Sequence, residues 1–287
     1  MNDEIYEAIK ELPSISKTIK EYNLKAKKKL SQNFILDINL TNKIAKLSDS
    51  IKNNTVIEIG AGPGSLTRSI LLNGAKKIII IEKDDRFINA LTKLNLASKN
   101  KIVIENKDAL DIDINDLLKK YHISHAEIIA NLPYSIATKL LLNWIPFPKG
   151  INKMTLMFQK EVAERIVATP GSKKYGRLSI LLGIMTNSKI VMNIPSSAFT
   201  PKPKINSSIV QIAPKKLNKY IDKNTLEKVT QILFNQRRKQ IKSSLSKFGD
   251  PIKICNLLDI NPSQRPEELT LKNYEKLSSI LSNYQDL

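Results

Sequence analysis

Cysteine is almost missing from this chain: of 287 residues only Cys255 carries a thiol. One thiol can neither close an internal disulfide nor build a thiolate metal cluster, which excludes a stapled extracellular scaffold and a zinc ribbon. A reducing, cytoplasmic setting is expected. Histidine is nearly as scarce, with His122 and His125 the two examples, both just before an apolar run and read as solvated loop residues. No metal is expected. No apolar stretch approaches the ~20 residues of a membrane span. The first residues mix acids and lysines (Asp3, Glu4, Glu7, Lys10, Glu11), which argues against a secretory signal. Aromatic residues make up 6 %, and the single Trp144, before Pro146, reads as core along with Met154, Met157, Met185 and Cys255.

What is present is more specific. Hydrophobic residues make up 41 %, enough for a sizeable core, and the length suits one mid-sized catalytic domain with a smaller appendage. The formal net charge is +19. Base composition alone can make a chain lysine-rich, so the distribution matters more than the total. From Pro201 to Lys247 twelve Lys and Arg face two acids, Asp222 and Glu227, a local net of +10. Charge clustered in this way is the footprint of a polyanion partner. No strongly amphipathic helix bearing Trp or Phe accompanies it, which favours nucleic acid over an acidic membrane.

Short apolar runs at Thr55–Ile59, 77–82, 101–105, 126–130, 154–158, 189–194 and 208–212 alternate with helical patterns. Continuous rather than alternating apolar runs predict strands covered on both faces. Strands alternating with helices predict a mostly parallel, doubly wound α/β sheet of seven strands. A helix is expected over residues 4–12, a basic loop over 25–34 and a helix over 38–47. Beyond Pro214 only helical spacing remains, with helices expected over 226–248, 252–258 and 271–281. The reading therefore cuts the chain near 215, into a catalytic domain 1–215 and a small all-helical domain 216–287.

Val56-Ile-Glu-Ile-Gly60-Ala-Gly62-Pro-Gly64 is a strand running into three glycines and then a helix. Glycines there permit a tight turn and let a ligand lie against the backbone. The acid at the next strand end, Glu82, is placed to accept from two ribose hydroxyls. These residues alone leave S-adenosylmethionine and a nicotinamide dinucleotide both open. Asp108-Ala109 follows the third strand, where a carboxylate can accept from an adenine amine, although such an Asp is often simply a turn residue.

Asn131-Leu132-Pro133-Tyr134 follows the fourth strand and separates the two cofactors. The exocyclic amine of adenine is a poor nucleophile because its lone pair is delocalised into the ring. Two oxygens accepting its hydrogens, the Asn131 side chain and the Leu132 carbonyl, can turn the nitrogen toward a methyl donor. Pro133 holds the preceding residue extended. Tyr134 offers a stacking face worth ~1–3 kcal/mol to an extruded base. A nicotinamide enzyme has no use for this tetrapeptide; an amino-directed methyltransferase does. A second aromatic would complete a clamp on the base, and Phe199, in Phe199-Thr-Pro-Lys202-Pro-Lys204, is the candidate.

Taken in order along nearly the whole chain, these motifs resemble the small-subunit ribosomal RNA adenine dimethyltransferase family. Ser31-Gln-Asn-Phe-Ile-Leu-Asp37 is similar to that family's Gly-Gln-Asn-Phe segment, and Gln159 to Arg165, Tyr175 to Ser179, Phe199-x-Pro-x-Pro and Phe234-Asn-Gln-Arg-Arg-Lys239 to its later blocks. The resemblance implies a class I methyltransferase sheet of Rossmann-like type, S-adenosylmethionine as cofactor, and Gln32, Asn33, Ile35, Gly60, Gly62, Glu82, Asp108, Ala109 and Asn131 around it. It implies dimethylation of two adjacent adenosines in a hairpin loop near the 3′ end of 16S rRNA, within a partly assembled small subunit, by a monomer. Lys202, Lys204, Arg237, Arg238 and Lys239, the last three on a helix, would meet RNA phosphates. Ser31 departs from the family's glycine; if a positive φ is required there, the loop must strain or shift. A related large-subunit methyltransferase, a non-enzymatic assembly factor and, more distantly, a nicotinamide oxidoreductase are the competing readings.

Overall fold

The computed structural model describes residues 3–48, 50–216 and 221–281, so residues 217–220 of the basic segment lie outside the description. Its strands are β1 (Phe34–Ile35), β2 (Thr55–Ile59), β3 (Lys77–Ile81), β4 (Ile102–Glu105), β5 (Ala126–Asn131), β6 (Ile151–Gln159), β7 (Thr186–Ile194), β8 (Phe199–Thr200) and β9 (Ser207–Pro214). The helices up to the sixth strand are α1 (Asp3–Glu11), α2 (Ile15–Glu21), α3 (Ile38–Ala45), α4 (Ser65–Leu72), α5 (Ile88–Ala97), α6 (Ile114–Lys120) and α7 (Ala137–Asn143). After it come α8 (Lys160–Ile166), α9 (Arg177–Met185), α10 (Lys223–Asn235), α11 (Ile241–Leu245), α12 (Pro251–Leu258) and α13 (Leu271–Leu281).

Each of the seven apolar runs forms one strand of a single sheet, in the order β4-β3-β2-β5-β6-β9-β7. The first five are parallel and β9 is antiparallel to β6. β3, Lys77-Ile-Ile-Ile-Ile81, shows why continuous runs appear: all four isoleucines are buried, so both faces are covered. Ile78 and Ile80 join Phe87, Leu91 and Leu94 in one apolar cluster. Burying each such side chain contributes about 1.5–3 kcal/mol relative to exposure. The chain builds outward from β2 to β3 and β4, then returns to place β5 on the other side of β2. That reversal opens a crevice at the carboxyl ends of β2 and β5, the usual ligand position in such sheets.

Three short elements escape the periodicity of the sequence. β1 and β8 have two residues each and pair antiparallel with one another, Phe34 with Thr200 and Ile35 with Phe199. α2 begins at the cap Ser14, whose hydroxyl accepts from the Lys17 amide at 3.3 Å. The two leading helices are anchored by Arg68 of α4, which is buried and donates to the Pro13 carbonyl at 2.6 Å and to the Thr18 hydroxyl at 3.2 Å.

The chain divides into two compact units, Met1–Ala163 with Lys189–Ala213, and Glu164–Ser188 with Pro214–Leu287. The sequence pattern predicts a single boundary near 215, with residues 164–188 in the first domain. They pack instead with the later helices. α9 is apolar almost all round, and its Gly183 lies against Leu271 of α13 with no room for a Cβ, which would stand 2.8 Å from Leu271 Cδ1. Within this second unit Phe234 stacks on Tyr274 at 6.5 Å, and the Tyr175 and Tyr274 hydroxyls donate to the carbonyls of Leu269 and Pro266.

The expected helix over 226–248 is a correction. α10 stops at Asn235, Gln236 leaves helical geometry at φ −118° and ψ 37°, and α11 starts only at Ile241. Arg237, Arg238 and Lys239 therefore lie in a turn, not on a helix. Arg237 helps hold that turn: its guanidinium pairs with Glu267 and donates to the Lys173 carbonyl at 2.8 Å.

Removing the Arg68 side chain leaves the Pro13 carbonyl without its charged donor. Arg68→Ala is expected to cost about 2–3 kcal/mol in urea unfolding, with proteolysis of residues 3–24 accelerated. Unfolding unchanged within 0.5 kcal/mol would show that the anchor is dispensable.

Candidate active site at the carboxyl ends of the strands

The strand order brings together what the sequence scatters. Asp108 follows β4, Glu82 follows β3, Gly60 follows β2 and Asn131 closes β5, so the four sit side by side along one edge of the sheet. They line a single cavity of about 400 Å³, within the range of small-molecule sites. Gln32, Asn33, Ile35, Gly62, Ala109, Leu132, Pro133 and Tyr134 also line it.

The floor is the glycine turn. Gly60, Gly62 and Gly64 have φ of +68°, +54° and +84°, which side-chain-bearing residues adopt only at a cost. A Cβ on Gly62 would stand 3.4 Å from the Phe34 ring. The bare backbone thus leaves a cradle in which a ligand can lie flat. In the lining, Asn131 Oδ1 receives no hydrogen bond among the described residues, and an apolar ligand that covered it would leave it unpaired at a cost of about 1–3 kcal/mol. A polar cofactor fits this donor and acceptor set.

Glu82 is buried and accepts from the Gly62 amide and from the Asp84 amide, each at 2.9 Å. Burial raises its carboxyl above the ordinary range, while those two N–H groups pull it back. Asp108 accepts from Lys83 Nζ at 2.6 Å and caps the following turn through the Leu110 amide at 3.0 Å; Lys83 chiefly holds its carboxyl low. It is a turn residue and a cavity residue at once.

Asn131 donates from Nδ2 to the Asn33 carbonyl at 3.2 Å, and Oδ1 receives no hydrogen bond among the described residues. The amide is thereby turned so that its oxygen remains an acceptor. Leu132 is buried and lines the cavity between Asn131 and Pro133. Pro133 packs against the turn, 3.7 Å from where a Gly60 Cβ would be. Tyr134 is fixed at its far end, its hydroxyl 2.6 Å from Ser207 Oγ on β9, and burial raises its pKa.

The expectation for Phe199 needs correction. Phe199 does not line the cavity; it is 3 % exposed and sits in the core cluster, because β8 pairs with β1 and turns the ring inward. It is not the second face of a clamp. Gln32 lines the cavity, but its amide serves the protein: Nε2 donates to Asp84 at 2.9 Å and Oε1 accepts from the Lys27 amide at 2.8 Å. Ser31 does have positive φ, +52°, so it takes up the glycine-like conformation rather than shifting the loop. Lys202 and Lys204 are exposed on the loop after β8, outside the cavity, and Arg238 and Lys239 are exposed in the second unit. Glu58 also lines the cavity, outside the expected set; an acid inside an apolar strand two residues before the glycine turn is the local signal for it. Nothing local pointed to Ser207.

Residues 23–283 match the family model described as ribosomal RNA adenine dimethylase. The chain is 44 % identical over 271 residues to the ribosomal RNA small subunit methyltransferase A of Cereibacter sphaeroides, covering 93 % of this chain and 96 % of that protein. It is 40 % identical over 276 residues to the protein of the same name from Xanthobacter autotrophicus, covering 95 % of each. Among solved structures, a dimethyladenosine transferase from Plasmodium falciparum superposes with a TM-score of 0.73 at 26 % identity, covering 86 % of this chain and 96 % of that one.

Burial lifts the Glu58 carboxyl from 4.5 to about 8, with the charge of Glu82 adding to the effect. As pH rises from 4.5 to 8 the unfolded chain ionises first, so this group withdraws stability across that window and changes nothing above it. Glu58→Gln is expected to match the wild type in melting temperature near pH 4.5 and to exceed it increasingly up to pH 8. A difference independent of pH would rule out a buried, protonated Glu58.

Proposed function

This chain belongs to the ribosomal RNA adenine dimethylase family, an S-adenosylmethionine-dependent enzyme, and from that premise we propose that its substrate is the small-subunit ribosomal RNA. The target is a pair of adjacent adenosines in a hairpin loop near the 3′ end of 16S rRNA, met in a partly assembled subunit, with the enzyme acting as a cytoplasmic monomer. The relatives named for the small subunit, 40–44 % identical over nearly the full length, support this over a large-subunit target.

The observation that carries the chemistry is the fixed Asn131 amide. When bound, S-adenosylmethionine supplies a methyl already activated by positive sulfur, so no strong base is needed. Glu82 would hold the ribose hydroxyls, Asp108 with Ala109 the adenine, and Asn33, the Ile35 backbone, Gly60 and Gly62 the remainder. Asn131 Oδ1 and the Leu132 carbonyl accept the two hydrogens of the target amine and direct its lone pair. Because the Asn33 carbonyl already holds the amide nitrogen, no reorientation is needed when the base arrives. The ring of Tyr134, held by Ser207, provides the stacking face for an extruded base. No second aromatic is assigned. For the second transfer the spent, demethylated cofactor would be exchanged for a fresh one; the monomethylated amine keeps one hydrogen for one of the two acceptors, and the proton released at each transfer passes to solvent.

Lys202, Lys204, Arg238 and Lys239 are exposed and suited to phosphates; Arg237, engaged with Glu267, contributes less.

Labelled cofactor, protein and under-methylated small subunits should yield dimethyladenosine at two neighbouring positions, mapped by mass spectrometry; label in large-subunit RNA alone would overturn the assignment. Asn131→Ala should lower transfer at least ~100-fold while RNA affinity stays within twofold. Arg238→Glu with Lys239→Glu should weaken RNA binding and reduce the slope of log K against log salt by about 2, whereas Arg237→Glu should act mainly on stability.

A further inference from the structure

Four lysines crowd the segment 25–29, and the chain then passes through Ser31 at positive φ before it reaches Asn33. Like charges and a strained residue both favour opening of such a loop. Its internal hydrogen bonds are few: the Leu30 and Gln32 amides donate to the Lys27 carbonyl at 3.0 and 3.5 Å, the Lys27 amide to Gln32 Oε1 at 2.8 Å and Asn33 Nδ2 to the Ser31 carbonyl at 3.1 Å. What holds it comes from across the cavity, at the end of β3. Asp84 is buried and receives Arg86 through Nε at 2.9 Å and Nη2 at 2.6 Å, and Gln32 Nε2 at 2.9 Å. Arg86 Nη1 donates in turn to the Lys25 carbonyl at 2.9 Å. Gln32 closes the ring by accepting the Lys27 amide.

We propose that Asp84 and Arg86 form a latch that fastens loop 25–33 over the cofactor side of the cavity and, through Asn33, sets the rotamer of Asn131. Asp84 and Arg86 are positioning residues and Gln32 is the hook on which they act. The sequence of contacts is continuous: Arg86 to Asp84, Asp84 to Gln32, then one residue along the loop to Asn33, whose carbonyl takes Asn131 Nδ2. At its other end Asp84 is tied by its own amide to Glu82, the acid of the ribose position. The latch thus joins the two ends of the site. Its carboxyl, held well below the usual range chiefly by Arg86, stays ionised throughout the working pH range. Lysine cannot replace Arg86, because a single ammonium lacks the planar fork that serves two carboxylate oxygens and a carbonyl together.

The part of this inference that reaches Asn131 rests on the proposed reading of that residue; the fastening of the loop does not. Asp84→Asn keeps the volume but sets an amide against one of its donors, and Gln32→Ala removes the hook without touching the short turn that Asp84 caps. Both variants, in the full-length protein, should weaken S-adenosylmethionine binding about tenfold by calorimetry. Both should speed tryptic cleavage after residues 25–29 at least tenfold while cleavage at Lys173 and Lys174 stays at the wild-type rate. At saturating cofactor both should lower kcat while RNA affinity is unchanged, and the double variant should be no worse than the weaker single one. Arg86→Lys should reproduce the defect. If Asp84→Asn impairs cofactor binding but Gln32→Ala does not, Asp84 is only a turn cap and the latch is overturned. If cleavage and cofactor binding change but kcat does not, the link to Asn131 is overturned.

Discussion

Glu82 accepts the Gly62 amide with one carboxylate oxygen and the Asp84 amide with the other, each at 2.9 Å, in a nearly dry environment. A buried carboxylate is costly unless hydrogen-bonded, and here the two bonds that offset burial also join the glycine turn of β2 to the end of β3. The turn can keep its left-handed glycines because a fixed acceptor holds its amide. The Asp84 latch can reach Gln32 because its own backbone is held in place. With two lone-pair directions still available, the same carboxylate can accept from a ligand, so binding adds to an interaction already formed.

The parallel strand order converts this local arrangement into a site. Ends of β4, β3, β2 and β5 fall in one row, so an elongated ligand lying along it would meet Asp108, Glu82, Gly60 and Asn131 in succession, although they are spread over more than seventy positions of the chain. The chemistry asked of the protein is then modest. In the proposed roles it would hold two acceptors at one amine and one aromatic face beside it, and two of these groups are immobilised by a neighbour: Asn131 by the Asn33 carbonyl, Tyr134 by Ser207. Immobilised dipoles cost no reorganisation when the reacting groups meet.

The basic charge divides into two kinds. Lys83, Arg86 and Arg237 are consumed by carboxylates and carbonyls of the protein itself. Lys202, Lys204, Arg238 and Lys239 are exposed. Counting charge along the chain could not separate these, since an arginine in a turn and one facing solvent read alike until Glu267 is placed beside the first.

What the sequence determined alone is whatever depends on neighbours a few positions apart. The seven apolar runs, the glycine turn, the acids at strand ends and the Asn131–Tyr134 tetrapeptide are all local patterns, and burial on both faces of a strand writes itself into continuous apolar runs. Elements of two residues, such as β1 and β8, have no period to detect, and helix spacing from Leu226 to Phe248 runs through a turn that Glu267 and Lys173 help to hold. Tertiary structure decided the partners: Gln32 with Asp84 across 52 positions, Tyr134 with Ser207 across 73, Asn131 with Asn33 across 98. It also took Phe199 out of the site by pairing β8 with β1. The physical reason is common to all: a hydrogen bond between distant residues exists only after the strand order has set their separation, and no local propensity encodes that order.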